Sequence, residues 1–455
     1  MKRREFLATI PAASAAVVCP ALTSCDKDNI PVAGEFDLVV AGGSATGVCA
    51  AVTAARSGLK VALVEYNAFY GGTATAALVP VWHSLYSTDG KTKIIGGLTD
   101  EIENRLLARG EAELQNPDNP SVGCYMNVAA LQIVLDDIVK EAGTITPFLK
   151  THIVGAEVKP DRTLKSAIIE DKSGRRKLNA RYFIDATGDA DLARRAGFET
   201  WRFKKEDIQG HTLCAIISGE DKIKAKYPDF RISDILKPAS GAGLKHVYMW
   251  EAPIIGCPGL SFIAATRIYA CDPSNAEELT DALMEGRRQL KAILDTANRL
   301  FPMPIGERLA LVALGSDLGI RESCHIKAQY KVTEEDVLQG RHFEDCCLKG
   351  SYRVDIHTGR GIILRYLNGV EEEMVVTEDG NTRMLRRTWC DPGEHRPTWY
   401  EAPLRALMPV GAKNLICAGR MIDCEREAFG ALRVMVNCNQ MGEAAARWVV
   451  QQCSI

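Results

Sequence analysis

The stretch Asp37 to Glu65, DLVVAGGSATGVCAAVTAARSGLKVALVE, constrains this chain more than any other. An apolar run, Leu38 to Ala41, enters a glycine turn at Gly42 and Gly43. Ser44, Ala45, Thr46 and Gly47 then open an alanine-rich run that ends at Ser57-Gly58, and a second apolar run stops at the acid Glu65. Short apolar runs bounded by glycine read as buried strands, and the alanine-rich run between them reads as a helix. The order strand, turn, helix, strand predicts an α/β chain built on a parallel sheet.

Each residue type in the turn has a physical task. Gly42 permits the tight turn out of the strand, and Gly47 lets the helix lie close to the sheet. The helix start presents free N–H groups and a positive dipole end, which suit a pyrophosphate. Glu65, at the end of the second strand, suits the hydroxyl pair of a ribose. The spacing is that of a dinucleotide fingerprint, G-x-G-x-x-G, with Ser44 in place of the middle glycine. A serine still allows backbone to approach phosphate, and its hydroxyl can bond a phosphate oxygen. Ser240-Gly241-Ala242-Gly243 has neither a preceding strand nor a following acid, so the sequence offers one dinucleotide site and no second site for a nicotinamide cofactor.

Further elements extend the pattern. Gly71-Gly72-Thr73-Ala74-Thr75 follows Glu65 closely, and Asp185-Ala186-Thr187-Gly188-Asp189 follows the apolar Tyr182-Phe183-Ile184. Gly319 to Ser323, Thr333 to Asp336 and Asp355-Ile356-His357 come later, and Ala418-Gly419-Arg420, Leu432-Arg433-Val434-Met435 and Met441-Gly442-Glu443 lie near the C-terminus. In these stretches the chain resembles the FAD-dependent oxidoreductases of the glutathione-reductase-like flavoprotein superfamily. The resemblance covers nearly all of the chain after its leader. It implies a Rossmann-like FAD-binding domain, a parallel sheet plus β-meander, with an inserted α+β substrate domain. It implies FAD held by Gly42 to Gly47, Glu65, Gly71 to Thr75, Ala186 to Asp189, Gly419, Arg420, Arg433, Val434, Met435 and Gly442. The last four lie at the flavin or pyrophosphate end in this reading.

The leader carries its own signals. Arg3-Arg4 and Phe6-Leu7 precede an Ala-rich apolar stretch, which resembles a twin-arginine export signal, and Leu22-Thr23-Ser24-Cys25 looks like a lipobox. Lipidation at Cys25 and a membrane anchor on the periplasmic face are the favoured expectation; a retained membrane helix and a cleaved leader without lipid are the alternatives. Export after folding around a cofactor agrees with a buried FAD. The organisation expected is a leader over 1–25, a tether over 26–35, the FAD domain over 36–198, the inserted domain over 199–304, and a return to the FAD domain over 305–455.

With a formal charge of −3 and 25% charged residues, the chain has no basic field for nucleic acid. Of its 15 cysteines, Cys19 and Cys25 belong to the leader, and the odd number that remain show no C-x-x-C pair and no metal-ligand spacing. Most sit in apolar runs and read as small core residues. Cys346-Cys347 is a vicinal pair, read here as incidental.

Helical periodicity is expected over 97–110 and 127–142, and short strands over 151–157, 165–170 and 176–184, with a hairpin turn at Asp171 to Gly174. In the inserted part, Ser274-x-x-Glu277 reads as a capping box that opens a long helix. Arg321 beside Glu322 suits a clamp for a carboxylate or a developing oxyanion, or else an ion pair between segments. His357 follows Asp355 by two, which on a strand places both on one face and allows a carboxylate-oriented imidazole base. The catalytic candidates are therefore His357, Arg321 and Glu322, with His83 as a lone imidazole near the cofactor. The activity expected is an FAD-dependent dehydrogenase acting on an alcohol, amine or sugar carbon of a small substrate, with a quinone or redox protein as electron acceptor. A flavin-dependent C=C reductase, like fumarate or urocanate reductases, and a non-catalytic lipid-anchored binding protein are the alternatives.

Overall fold

The computed structural model describes residues 30–116, 123–244, 246, 248–359, 361–377, 381–391 and 396–454. The leader reading over 1–25 lies outside them. Five parallel strands form the central layer in the order Ile145–Phe148, Val61–Val64, Val32–Ala41, Gly174–Asp185 and Leu415–Cys417. Strand Gly174–Asp185 serves two purposes: its first half pairs antiparallel with Leu164–Asp171, and its last residues, Phe183 to Asp185, pair with Leu415–Cys417. His152–Val158 completes the meander. The expected strands and the turn at Asp171 to Gly174 are all present, within about two residues at each end.

The two apolar runs of the opening stretch are buried on both faces, as a parallel sheet between helices requires. Leu38, Val40, Val61 and Leu63 enter one core, and Val39, Ala41, Ala62 and Val64 enter the other. Helix Ala45–Arg56 lies on the first of these faces, against the C-terminal helix Met435–Cys453. Small side chains allow that approach. A Cβ on Gly442 would stand 2.2 Å from the Thr46 carbonyl oxygen.

A second unit is a four-stranded antiparallel sheet in the order Trp250–Pro253, Leu260–Ala264, Ala215–Ser218 and Ala310–Leu314. The 25-residue helix Ala276–Leu300 packs on it through Leu290, Ile293, Leu294 and Ala297. A four-stranded meander, Val354–Thr358 to Thr382–Thr388, adds a third sheet.

Three expectations need correction. Strand Val32–Ala41 begins inside the supposed tether, because Val32, Gly34 and Glu35 pair with Lys177, Leu178 and Asn179. The inserted unit extends past residue 304, because Ala310–Leu314 pairs with Ala215–Ser218. The long helix is capped by Asn275, whose side chain accepts from the Glu278 N–H at 3.0 Å, while Ser274 turns its hydroxyl to Asp272. Among the described residues, no helix is long and apolar enough to cross a membrane.

Candidate active site

The glycine turn forms a cradle that larger residues would fill. Gly42 has φ +98°, and a Cβ on Gly47 would lie 1.8 Å from the Gly42 carbonyl oxygen. Ser44 caps helix Ala45–Arg56; its hydroxyl donates to the Ala186 carbonyl at 3.3 Å. The serine that replaces the middle glycine is thus a helix cap that also ties the turn to the end of strand Gly174–Asp185. Glu65 is buried and accepts from the Gly43 and Asn67 N–H groups at 2.7 and 2.8 Å. Burial raises its pKa, and the two backbone N–H groups oppose that rise.

Most of the other expected cofactor residues assemble around this cradle, whereas Arg433 pairs with Asp355. The Gly71 N–H donates to the Gly43 carbonyl at 2.9 Å, and Gly72, Thr73 and Ala74 make a short turn beside Ser44. The Thr75 hydroxyl closes that turn on the Tyr70 carbonyl at 2.7 Å. Ala186 continues the sheet through its N–H to the Ala41 carbonyl, and Thr187 is held by Asp185. Arg420 pairs with Asp189 at 2.7 Å and lies against Gly188, just after Gly419 at φ +120°. Val434 and Met435 start the C-terminal helix, and Gly442 packs on the Thr46 carbonyl in the first turn of helix Ala45–Arg56. A glycine cradle at a helix start, with a buried acid at the end of the adjacent strand, is the set of groups that FAD's pyrophosphate and ribose call for.

The segment Gly315 to Ile320 joins this loop to a second cluster. The Asp317 N–H donates to the Ala76 carbonyl at 3.1 Å, and Gly319 exchanges backbone hydrogen bonds with Thr212. Arg321 follows. Its guanidinium donates to the Gly210 carbonyl and, at 2.9 Å, to the Thr212 hydroxyl. Arg267, from the inserted unit, donates to the same hydroxyl at 3.0 Å and lies 4.8 Å over the Tyr248 ring. Tyr248 shares a hydroxyl hydrogen bond of 2.6 Å with Tyr269. Burial, and then the charges of Arg267 and Arg433, push the Arg321 pKa down to about 10.

His357 stands beside this pair on strand Val354–Thr358. Its Nε2–H donates to Asp355 Oδ1 at 3.1 Å; Asp355 Oδ2 accepts from Tyr352 at 2.9 Å and from Arg433 at 3.1 Å. Burial works against the Asp355 carboxylate, yet His357, Arg433 and Arg353 together hold its pKa well below the ordinary range. Burial, followed by the Arg321 charge, pushes the His357 pKa down to about 3, so the imidazole is neutral. With Nε2–H committed to Asp355, the lone pair is on Nδ1. That atom is buried and, among the described residues, has no hydrogen-bond partner.

The structure brings His357 and Arg321 into one cluster and gives Glu322 a different surrounding. Glu322 is fully buried, accepts from the Gln209 N–H at 2.9 Å and faces His325 Nε2 at 3.4 Å. Among the described residues, the neighbouring Arg321 and Glu322 side chains share no partner, so the two do not form a clamp together. His83 packs its ring 5.8 Å from Tyr352, at the edge of the cluster. Cys346 and Cys347 lie on strand Cys346–Gly350 with free thiols, and burial raises both. Arg267, Tyr248, Tyr269, Tyr352 and Gln209 were not singled out. Apart from Arg267 and Tyr269, they stand far apart in sequence and carry no shared spacing; an arginine inside a largely apolar run, Phe262 to Ile268, is the available signal.

A dinucleotide cradle joined to an enclosed polar cluster defines a flavoprotein oxidoreductase frame. The chain belongs to the FAD dependent oxidoreductase family, whose model matches residues 37–453. FAD is its cofactor, and it is an oxidoreductase. No curated protein matches the sequence. Among solved structures, it is similar to the myxobacterial FAD-dependent halogenase CndH at 12% identity, over 92% of this chain and 76% of that one, with a TM-score of 0.43. It is also similar to the open conformation of a flavocytochrome c3 fumarate reductase at 11% identity, over 92% and 79%, with a TM-score of 0.41. A geranylgeranyl bacteriochlorophyll reductase-like protein from Thermoplasma acidophilum matches at 16% identity, over 64% and 67%, with a TM-score of 0.39.

Proposed function

We propose that this oxidoreductase is a dehydrogenase that oxidises an alcohol, amine or sugar carbon of a small organic substrate. The observation that supports this reading is the buried, neutral His357, with Asp355 on Nε2 and an open lone pair on Nδ1. Bound FAD supplies a two-electron hydride acceptor. The protein's share is to hold the substrate and to take its proton at Nδ1 of His357, with Asp355 fixing the tautomer and the ring orientation. That nitrogen becomes more basic when negative charge on the substrate offsets the Arg321 charge that lowers its pKa. Arg321 stabilises negative charge that develops on the substrate oxygen. The enclosing Tyr248, Tyr269 and Tyr352 keep the cluster poor in water and so strengthen these interactions.

The test is His357→Asn in FAD-loaded protein, screened anaerobically for loss of flavin colour with alcohols, amines and sugars. We expect kcat to fall about 10²- to 10⁴-fold with FAD content unchanged; turnover equal to the parent's would overturn the assignment. A second reading, reduction of an activated C=C bond, is favoured by one feature: the lowered Arg321 pKa makes that guanidinium a better proton donor than an ordinary arginine. Re-oxidation of dithionite-reduced enzyme by an unsaturated acid, lost in Arg321→Met, would select it.

The electron acceptor in this proposal is a quinone or a redox protein, reached from a membrane anchor at Cys25 after twin-arginine export. Cys25→Ser is expected to release the protein from the membrane fraction, and retention there would remove the anchor from the proposal.

A further inference from the structure

Arg267 and Arg321 are two cations held together without a counter-charge. Both donate to one hydroxyl, that of Thr212, at 3.0 and 2.9 Å. Among the described residues neither has an ion pair, whereas Arg433 and Arg420 pair with Asp355 and Asp189. Arg267 is 4% exposed, and two guanidinium groups converging in a low-dielectric interior repel one another unless an anion lies between them. The effect on Arg321 has the sign this predicts, since its pKa is pushed down by burial and then by Arg267 and Arg433.

The unpartnered atoms describe what is missing. Arg267 Nε, Arg433 Nε and Gln209 Nε2 are buried donors with no acceptor among the described residues. Buried donors of this kind carry a desolvation penalty of about 1–3 kcal/mol each, so a native cluster leaves them open only for a ligand or water. Every one of the three calls for an oxygen lone pair. Beside them, the open Nδ1 of His357 calls for a single hydrogen. A molecule with an anionic oxygen group at one end and a hydroxyl or amine at the other satisfies both demands.

We propose that Arg267 and Arg321, bridged by Thr212, bind a carboxylate of the substrate, so that the enzyme acts on a small organic acid with a hydroxyl or amino group near that carboxylate. This rests on the dehydrogenase reading and narrows its substrate class. A carboxylate is planar and matches the guanidinium fork, and it is attached directly to carbon, which places a hydroxyl or amine on the neighbouring carbon within reach of the imidazole. FAD's pyrophosphate is a less suitable occupant, because the glycine cradle at Gly42 to Gly47 and the start of helix Ala45–Arg56 already answer it.

The experiment is calorimetric titration of the FAD-loaded full chain with acetate and with malonate, against malonamide, chloride and inorganic phosphate at equal ionic strength. Saturable binding of malonate or acetate, with malonamide and chloride silent, is the expected result. Arg321→Met should weaken it about 10- to 100-fold, and Arg321→Lys less, with FAD affinity and the visible flavin spectrum unchanged. Three results overturn the proposal: neither carboxylate binds, phosphate binds more tightly than both, or Arg321→Met loses FAD together with the carboxylate. The comparison of malonate with malonamide needs no variant, so a variant that fails to fold leaves the test intact. Because binding is read without turnover, carboxylate binding that persists when His357→Asn leaves activity unchanged would keep this site and remove the dehydrogenase assignment.

Discussion

At the scale of single residues, the site depends on atoms that are absent as much as on those present. Gly47 has no room for a methyl group, since its Cβ would lie 1.8 Å from the Gly42 carbonyl oxygen. Gly47→Ala must therefore displace the turn that receives the pyrophosphate. Protein purified with this substitution is expected to lose most of its flavin absorbance, and full FAD content would contradict the assigned cradle. The acid Glu65 and the glycines around it were legible from spacing, because a local turn and a short crossover place them together whatever the remaining chain does. His357 and Asp355 were legible for the same reason, two residues apart on one strand. The Arg267–Arg321 pair was not, because 54 residues separate them and the sheet Trp250 to Leu314 decides that they meet.

At the scale of elements, the catalytic strand and the C-terminal helix are braced by short local devices. Thr333 and Asp336 form a reciprocal capping box: the Thr333 hydroxyl accepts from the Asp336 N–H at 3.1 Å, and the Asp336 carboxylate accepts from the Thr333 N–H at 3.0 Å. The helix it opens, Glu334–Leu338, packs on Arg426–Leu432, which ends at Arg433. Thr333→Ala is expected to lower the unfolding free energy by about 1 kcal/mol, read by urea denaturation, with kcat unchanged. A loss of activity at equal stability would place that helix closer to the chemistry. The long helix shows the limit of such motifs. Ser274 and Asn275 are both good caps, and only the path of the chain out of Cys271 and Asp272 selects Asn275.

At the scale of the whole molecule, burial sets the response to pH. His211, His246 and His357 are buried, and burial is the main reason that their pKa values fall to about 4, 4 and 3. Their values when unfolded lie near 6.5. In the window below that value the unfolded chain binds more protons, so each imidazole adds stability that is complete above about 6.5 and is lost as the pH falls towards its folded value. Asp185, pushed up to about 6 by burial, works in the opposite direction between its ordinary value and 6. The clean measurement is therefore a difference. His246→Gln should flatten the fall in stability between about pH 6.5 and 4, by at most about 1.4 kcal/mol per pH unit, in urea titrations at a series of pH values. An unchanged slope would mean that this imidazole titrates alike in both states.

The sequence by itself determined the nucleotide frame of this protein: the parallel strands, the glycine turn, the acid after it and the meander. All of these follow from short-range patterning, where a period of two or 3.6 residues and a glycine at a forced turn leave few alternatives. Tertiary structure alone decided where the inserted sheet ends, that Ser44 acts as a cap, that Glu322 is turned into the core, and that two arginines from different segments close over one hydroxyl. Those outcomes depend on which distant surfaces must be buried together and on which buried donors then find acceptors, and no local pattern encodes either.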